Sequence, residues 1–152
     1  MPEVGNDVNQ IKITSLNHIQ GQPDVVRVLQ TNLEAFYNSR ASAKPENMPS
    51  FGPVLLVGQS GTGKSLIAQA LHCELGNLKL IETNGEMVNS QLEIASILLN
   101  ADENTTVFVD EAQAIGSKVQ HILLTALSEK SSTYQEAHLA ELLLLYLCLI
   151  LL

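Results

Sequence analysis

The chain has 152 residues, a net charge of −8, and 45% hydrophobic against 16% charged residues. This length fits one domain with a real core, the composition excludes a disordered chain, and the negative charge argues against a broad nucleic-acid-binding face. Two cysteines, Cys73 and Cys148, make no disulfide framework, and the absence of Trp leaves an aliphatic core.

Residues 1–10 are polar, with neither the basic stretch nor the apolar run of a secretory signal, so the chain is read as cytoplasmic. The stretch from Ile11 to Gln22 is too short for an element of its own, and Gly21 and Pro23 punctuate its end. A helix is expected from Pro23, with Val25, Val28, Leu29, Leu33 and Phe36 on one apolar face. Asn38 to Gly52 reads as loop. Pro53 to Val57 suits a buried strand, and Ser65 to about Leu75 a helix that stops near Gly76-Asn77. Cys73 in that helix is read as a small buried apolar residue. Leu78 to Glu82 reads as a second strand and Asn84-Gly85 as a turn. Val88, Leu92, Ala95, Leu98 and Leu99 mark a helix face. Thr105 to Val109 is a β-branched strand, followed by a helix from Ser117 with Val119, Ile122, Leu123, Ala126 and Leu127 inward. Alternating strands and helices call for an α/β fold with a parallel sheet and right-handed crossovers. His18, His72, His121 and His138 show no metal-binding spacing and are read as structural or surface residues.

Between the first strand and its helix lies Gly58-Gln59-Ser60-Gly61-Thr62-Gly63-Lys64-Ser65, a G-x-x-x-x-G-K-S loop in the strand–loop–helix context that the phosphate-binding motif requires. Its glycines let backbone N–H groups approach a polyphosphate, and the helix N-terminus behind them adds partial positive charge. Gly58, Ser60, Gly61, Thr62, Gly63 and Leu66 are thus candidates to cradle the nucleotide. Lys64 supplies a cation for the β- and γ-phosphates, and Ser65 a hydroxyl for Mg²⁺. Asp110-Glu111, at the end of an apolar strand, is the matching acidic pair. Ligands in open α/β sheets bind at the carboxyl ends of the strands. Asp110 is therefore expected to hold Mg²⁺, directly or through water, and Glu111 to polarise the attacking water. A GTPase would carry N-K-x-D and D-x-x-G, and neither occurs. A superfamily-2 helicase has similar motifs but far more chain between them.

On these residues the chain resembles the N-terminal part of an AAA+ ATPase, a P-loop NTPase three-layer sandwich. Within that group it is most similar to the RuvB-type Holliday-junction branch-migration motors, over roughly residues 11–130. Ile19-Gln20-Gly21-Gln22 resembles the family's I-x-G-Q linker, which borders the adenine. The resemblance implies ATP and Mg²⁺ as ligands, nucleotide contacts from Ile19, Gln20 and Ile11, and a segment 1–22 that borders an ATPase core at 23–152. The family's Ile-Arg pair is Ile11-Lys12 here, which keeps a base and loses a flat guanidinium. It further implies a ring or hetero-assembly whose neighbours supply arginine fingers. This chain has only Arg27 and Arg40, both ahead of the glycine loop. The core is thus expected to be truncated after strand 4, without sensor, finger or lid. A truncated subunit that binds ATP with little hydrolysis, and a clamp-loader or chaperone subunit, are the alternatives. The family's DNA-contacting hairpin would fall in Lys130 to Glu141, which is short and not basic, so DNA is expected only through the assembly.

The tail from Leu142 to Leu152 is wholly apolar apart from Tyr146. As a helix it would span about 17 Å, short of the roughly 30 Å of a bilayer's hydrocarbon core, so no membrane is expected. The AAA+ strand order 5-1-4-3-2 puts a strand between the P-loop strand and the Asp110 strand. A doubly covered central strand needs a continuous apolar run. The tail is expected to fill that place, with a terminal helix as the competing reading.

Overall fold

A computed structural model describes residues 13–44, 49, 51–102, 104–128 and 148–151. Helix α1 (Pro23–Ser42) starts with proline in its first turn and carries Asp24 at its start and Arg40 at its end, each favourable to the helix dipole. Its buried stripe runs through Val26, Leu29, Leu33 and Phe36. Val28, expected on this face, is 58% exposed. One residue turns about 100° along a helix, which carries Val28 off the stripe and leaves Val26 on it. The helix also continues to Ser42 through residues expected as loop. There the Ser42 hydroxyl donates to the Asn38 carbonyl at 3.1 Å, and the Arg40 guanidinium lies 5.4 Å from the Phe36 ring centre.

The remaining strands and α-helices are β1 (Val54–Leu55), α2 (Lys64–Glu74), β2 (Lys79–Asn84), α3 (Gln91–Leu99), β3 (Thr105–Asp110), α4 (Ser117–Ser128) and β4 (Cys148–Leu151); a 3-10 turn at Leu16–His18 also forms in the stretch expected to hold no element. Helix α3 opens on a capping box: Glu93 accepts from the N–H groups of Asn89 and Ser90, and its own N–H donates to the Ser90 hydroxyl. These bonds to the charged carboxylate hold Glu93 below the usual carboxylate range. Its inward residues are Ile94 and Ile97. The expected face was out of phase, since Leu92 and Leu99 are 82% and 66% exposed and Ala95 is exposed too. Val88 is buried, but it precedes the helix, so a helical period counted from it points the wrong way. In α4, Val119 and Leu123 are buried and Ile122 is half-buried, as expected. The side chains of Leu98, Ala126 and Leu127 lie outside the described residues. Cys73 is exposed rather than buried, because α2 buries Ile67, Ala68, Ala70 and Leu71 and Cys73 falls on the flank.

The four strands form one parallel sheet in the order β1-β4-β3-β2. Along β3, Phe108 joins the cluster built on α1 and α2, while Val107 and Val109 join the cluster built on α3 and α4. Alternate residues of a strand face opposite sides of the sheet. Helices therefore cover both faces, giving the three-layer α/β sandwich. The tail forms a central strand: Ile150 and Leu151 pair with Val54 and Leu55 on one side and with Phe108 and Val109 on the other. Leu142 to Leu147, Lys130 to Glu141 and Ile11-Lys12 lie outside the described residues. Among those described, no helix is long and apolar enough to cross a membrane.

Candidate active site

The glycine loop leaves β1 and turns into α2 at Gly63. That residue caps the helix with φ +85°, a backbone state that favours glycine. The Lys64 ammonium donates to the carbonyls of Gly58 and Gln59, both at 3.0 Å. The Thr62 hydroxyl donates to the same Gln59 carbonyl at 2.8 Å. These bonds fold the loop back on itself. The first N–H groups of α2 have no partner within the helix and form the positive end of its dipole.

Across a cleft of about 870 Å³, this loop faces the end of β3. Ser60, Gly61, Lys64 and Ser65 line one wall, and Asp110 and Glu111 the other. Gly58, Gly63 and Leu66 line it as well. The sheet register explains the meeting, because β1 and β3 end side by side across β4.

Glu111 sits at φ +50°, the one non-glycine residue at positive φ among those described. Three contacts keep it there. Its N–H donates to Asp110 Oδ1 at 2.8 Å. Its carbonyl accepts from the Ala114 N–H at 2.8 Å. On its other side lies Gly85, where any Cβ would collide with the Glu111 carbonyl oxygen and lie 3.1 Å from the Ile115 nitrogen. Overpacking of this kind costs about 1–3 kcal/mol. Gly85→Ala is therefore expected to lower the unfolding free energy by about that much in a urea titration. An unchanged midpoint would contradict this contact.

Asn84 is a site residue that sequence reading passed over as part of a turn. It ends β2 directly beside Asp110 in the register. Its side-chain oxygen accepts from the Glu86 N–H at 2.8 Å, which turns the amide NH₂ toward Glu111 Oε2, 3.3 Å away. The available signal was a polar residue at the carboxyl end of a strand next to the acidic one. Gln113 and Gln120 also line the cleft.

The linker residues sit elsewhere. Ile19 is half-buried against the α1–α2 core, and Gln20 is exposed. A second cavity of about 650 Å³ reaches the other side of the loop, with Gln22, Asp24 and Val25 opposite Gly58 and Thr62. Its described walls include neither Ile19 nor Gln20. Ile11 lies outside the described residues. Arg27 pairs with Asp24 at 2.8 Å on the surface of α1, and neither arginine lines the cleft.

Residues 11–133 match the family of the Holliday junction DNA helicase RuvB P-loop domain. The Holliday junction branch migration complex subunit RuvB of Kosmotoga olearia is 30% identical over 114 residues, 75% of this chain and 31% of that protein. The same subunit of Thermosipho melanesiensis is 36% identical over 76 residues, 50% of this chain and 24% of that protein. The solved Thermotoga maritima RuvB Holliday junction branch migration motor superposes with a TM-score of 0.70 at 24% identity, covering 92% of this chain and 41% of that one. The chain thus spans about a quarter to a third of the length of these curated relatives, and the structural likeness speaks to the fold. With the family match running over most of its length, the chain belongs to the RuvB P-loop domain family.

Proposed function

We propose that this chain is the ATP-binding core of a RuvB-type branch-migration motor of recombination and repair. The observation that carries this reading is that the glycine loop and the Asp110–Glu111 pair share one cleft. In this reading residues 1–22 border the nucleotide and 23–152 form the core, working in the cytoplasm. The loop amides, with Gly58, Ser60, Gly61, Thr62, Gly63 and Leu66, wrap the phosphates. Lys64 moves from the loop carbonyls onto the β- and γ-phosphates. Ile19, Gln20 and Ile11 border the base, Ile19 and Gln20 doing so after a shift of the linker toward the loop.

The Ser65 hydroxyl and the Asp110 carboxylate are oxygen donors on opposite walls of one cleft, the donor chemistry that suits Mg²⁺. Asp110 Oδ1 is engaged by the Glu111 N–H, and Oδ2 has no hydrogen-bond partner among the described residues. When bound, Mg²⁺ neutralises charge that develops on the phosphates. Glu111 accepts a proton from the attacking water, and Asn84 orients its carboxylate.

Arg27 is tied to Asp24 and Arg40 lies over Phe36, which favours fingers supplied by neighbouring subunits of a ring or hetero-assembly. It also favours, as second reading, a subunit that binds ATP and hydrolyses little by itself. DNA is reached through the assembly. The test is the metal dependence of ATP binding. Calorimetry of the parent chain should show affinity that rises when Mg²⁺ is added. Asp110→Asn, which keeps the shape and loses the charge, should lose most of that rise. An equal Mg²⁺ effect in both would remove Asp110 from the metal site.

A further inference from the structure

Thr106 lies in β3, four residues before Asp110 on the same face of the strand, and is fully buried. Two side chains meet at its hydroxyl. The amide nitrogen of Asn77, just past α2, donates to Oγ1 at 2.7 Å. Nδ1 of His72, in the last turn of α2, lies 2.9 Å from the same oxygen. Among the described residues these are the side-chain hydrogen bonds that join the P-loop helix and its C-terminal turn to β3.

With the Asn77 nitrogen as donor, the proton count gives the direction of the second bond. An amide NH₂ is only a donor, so Oγ1 accepts from Asn77 and has its single proton left to give. His72 Nδ1 takes it, which makes the ring neutral with its own proton on Nε2. A protonated ring would bring a second donor to Oγ1. The buried hydroxyl hydrogen would then have no acceptor among the described residues, and an unmet buried donor is costly. The tie closes only on a neutral imidazole.

Helix α2 carries Lys64 and Ser65 at its other end, and β3 ends on Asp110. A slide of α2 along β3 would change how the two walls of the cleft face each other. We propose that His72 and Asn77 are positioning residues for the nucleotide site: by holding Thr106 they fix α2 on β3, and so fix Lys64 and Ser65 against Asp110. This rests on the nucleotide-site reading above. Burial pushes the His72 ring below its ordinary titration range, opposed by Glu82 of β2, the charged group that faces it. The tie is therefore closed at neutral pH. The unfolded chain binds the proton first, at about pH 6.5, so stability is lost as pH falls below that value.

Two measurements on the intact chain test this. Nitrogen spectra of the His72 imidazole should show Nδ1 bare and Nε2 protonated at neutral pH. A proton on Nδ1 overturns the tie, whether or not nucleotide binds. Mg·ATP affinity is then compared at neutral pH for His72→Gln, whose oxygen still accepts a hydrogen bond, and His72→Leu, which cannot accept one. The glutamine variant should bind like the parent and the leucine variant about fivefold more weakly. Equal affinities for the two overturn the proposal. At neutral pH, Thr106→Val should bind about fivefold more weakly, while Thr106→Ser, which keeps the hydroxyl, should bind like the parent. Equal affinities for the two overturn it as well. A parent that binds no nucleotide at neutral pH with the expected tautomer in place removes the site reading, and the positioning role falls with it.

Discussion

Glu111→Gln is expected to lower ATP turnover by about two to four orders of magnitude while Mg·ATP affinity changes little, since positioned general bases contribute on that scale. The basis is geometric. Glu111 lines the cleft opposite the glycine loop. Its backbone is fixed by the Asp110 carboxylate, the Ala114 N–H and the close approach of Gly85. Its carboxylate is met by the Asn84 amide. Glutamine keeps the size and loses the basic oxygen. It changes neither the loop nor the Ser65 and Asp110 oxygens, so binding should remain. The release of labelled phosphate at saturating Mg·ATP measures the effect, even for a slow chain. A variant as fast as the parent would mean that another group activates the water.

Lys64→Ala is expected to weaken Mg·ATP binding by about ten- to a hundredfold. Hydrogen bonds to a charged group contribute about 1.5–3 kcal/mol each, and every 1.4 kcal/mol is tenfold in affinity. The ammonium donates to the carbonyls of Gly58 and Gln59. Alanine removes those two bonds as well, so the loop loses part of its own support along with the phosphate contact. Lys64→Arg distinguishes the two losses. It keeps the charge, but its larger planar head suits the compact pair of carbonyls less well. If charge dominates, arginine restores much of the affinity. If loop shape dominates, it restores little. Thr62 should matter less, because its hydroxyl braces only the Gln59 carbonyl.

The order of elements, the parallel sheet and the two halves of the cleft were legible because each rests on local chemistry. A glycine loop between strand and helix, and two acids at the end of a β-branched strand, declare their contexts within a few residues. The central place of the tail was legible for a different reason: the family's strand order leaves a doubly covered slot between β1 and β3 that an apolar run fits, although the run alone also suited a terminal helix. Helix faces were less legible. Val28 and Leu92 are apolar and exposed, and periodicity alone does not tell a stripe's flank from its centre. Leu92 was also misplaced because Val88, buried just ahead of α3, gave the wrong phase. Gly85 and His72 were not legible, and Asn84 showed only as a polar residue at the end of a strand. Their roles depend on partners 26 to 34 residues away, Glu111 for Asn84 and Gly85 and Thr106 for His72. Nothing in the local sequence points across that distance. Asn84-Gly85 reads as an ordinary turn, and His72 as one more scattered histidine.

The proposed function rests on the glycine loop and the end of β3 forming one nucleotide site. A calorimetric titration of the chain with Mg·ATP at neutral pH, run beside Lys64→Ala and Asp110→Asn, tests it most directly. Saturable binding of one nucleotide per chain is expected, weakened in both variants and most strongly in Lys64→Ala. Absence of binding in the parent, or equal binding in all three, would contradict it.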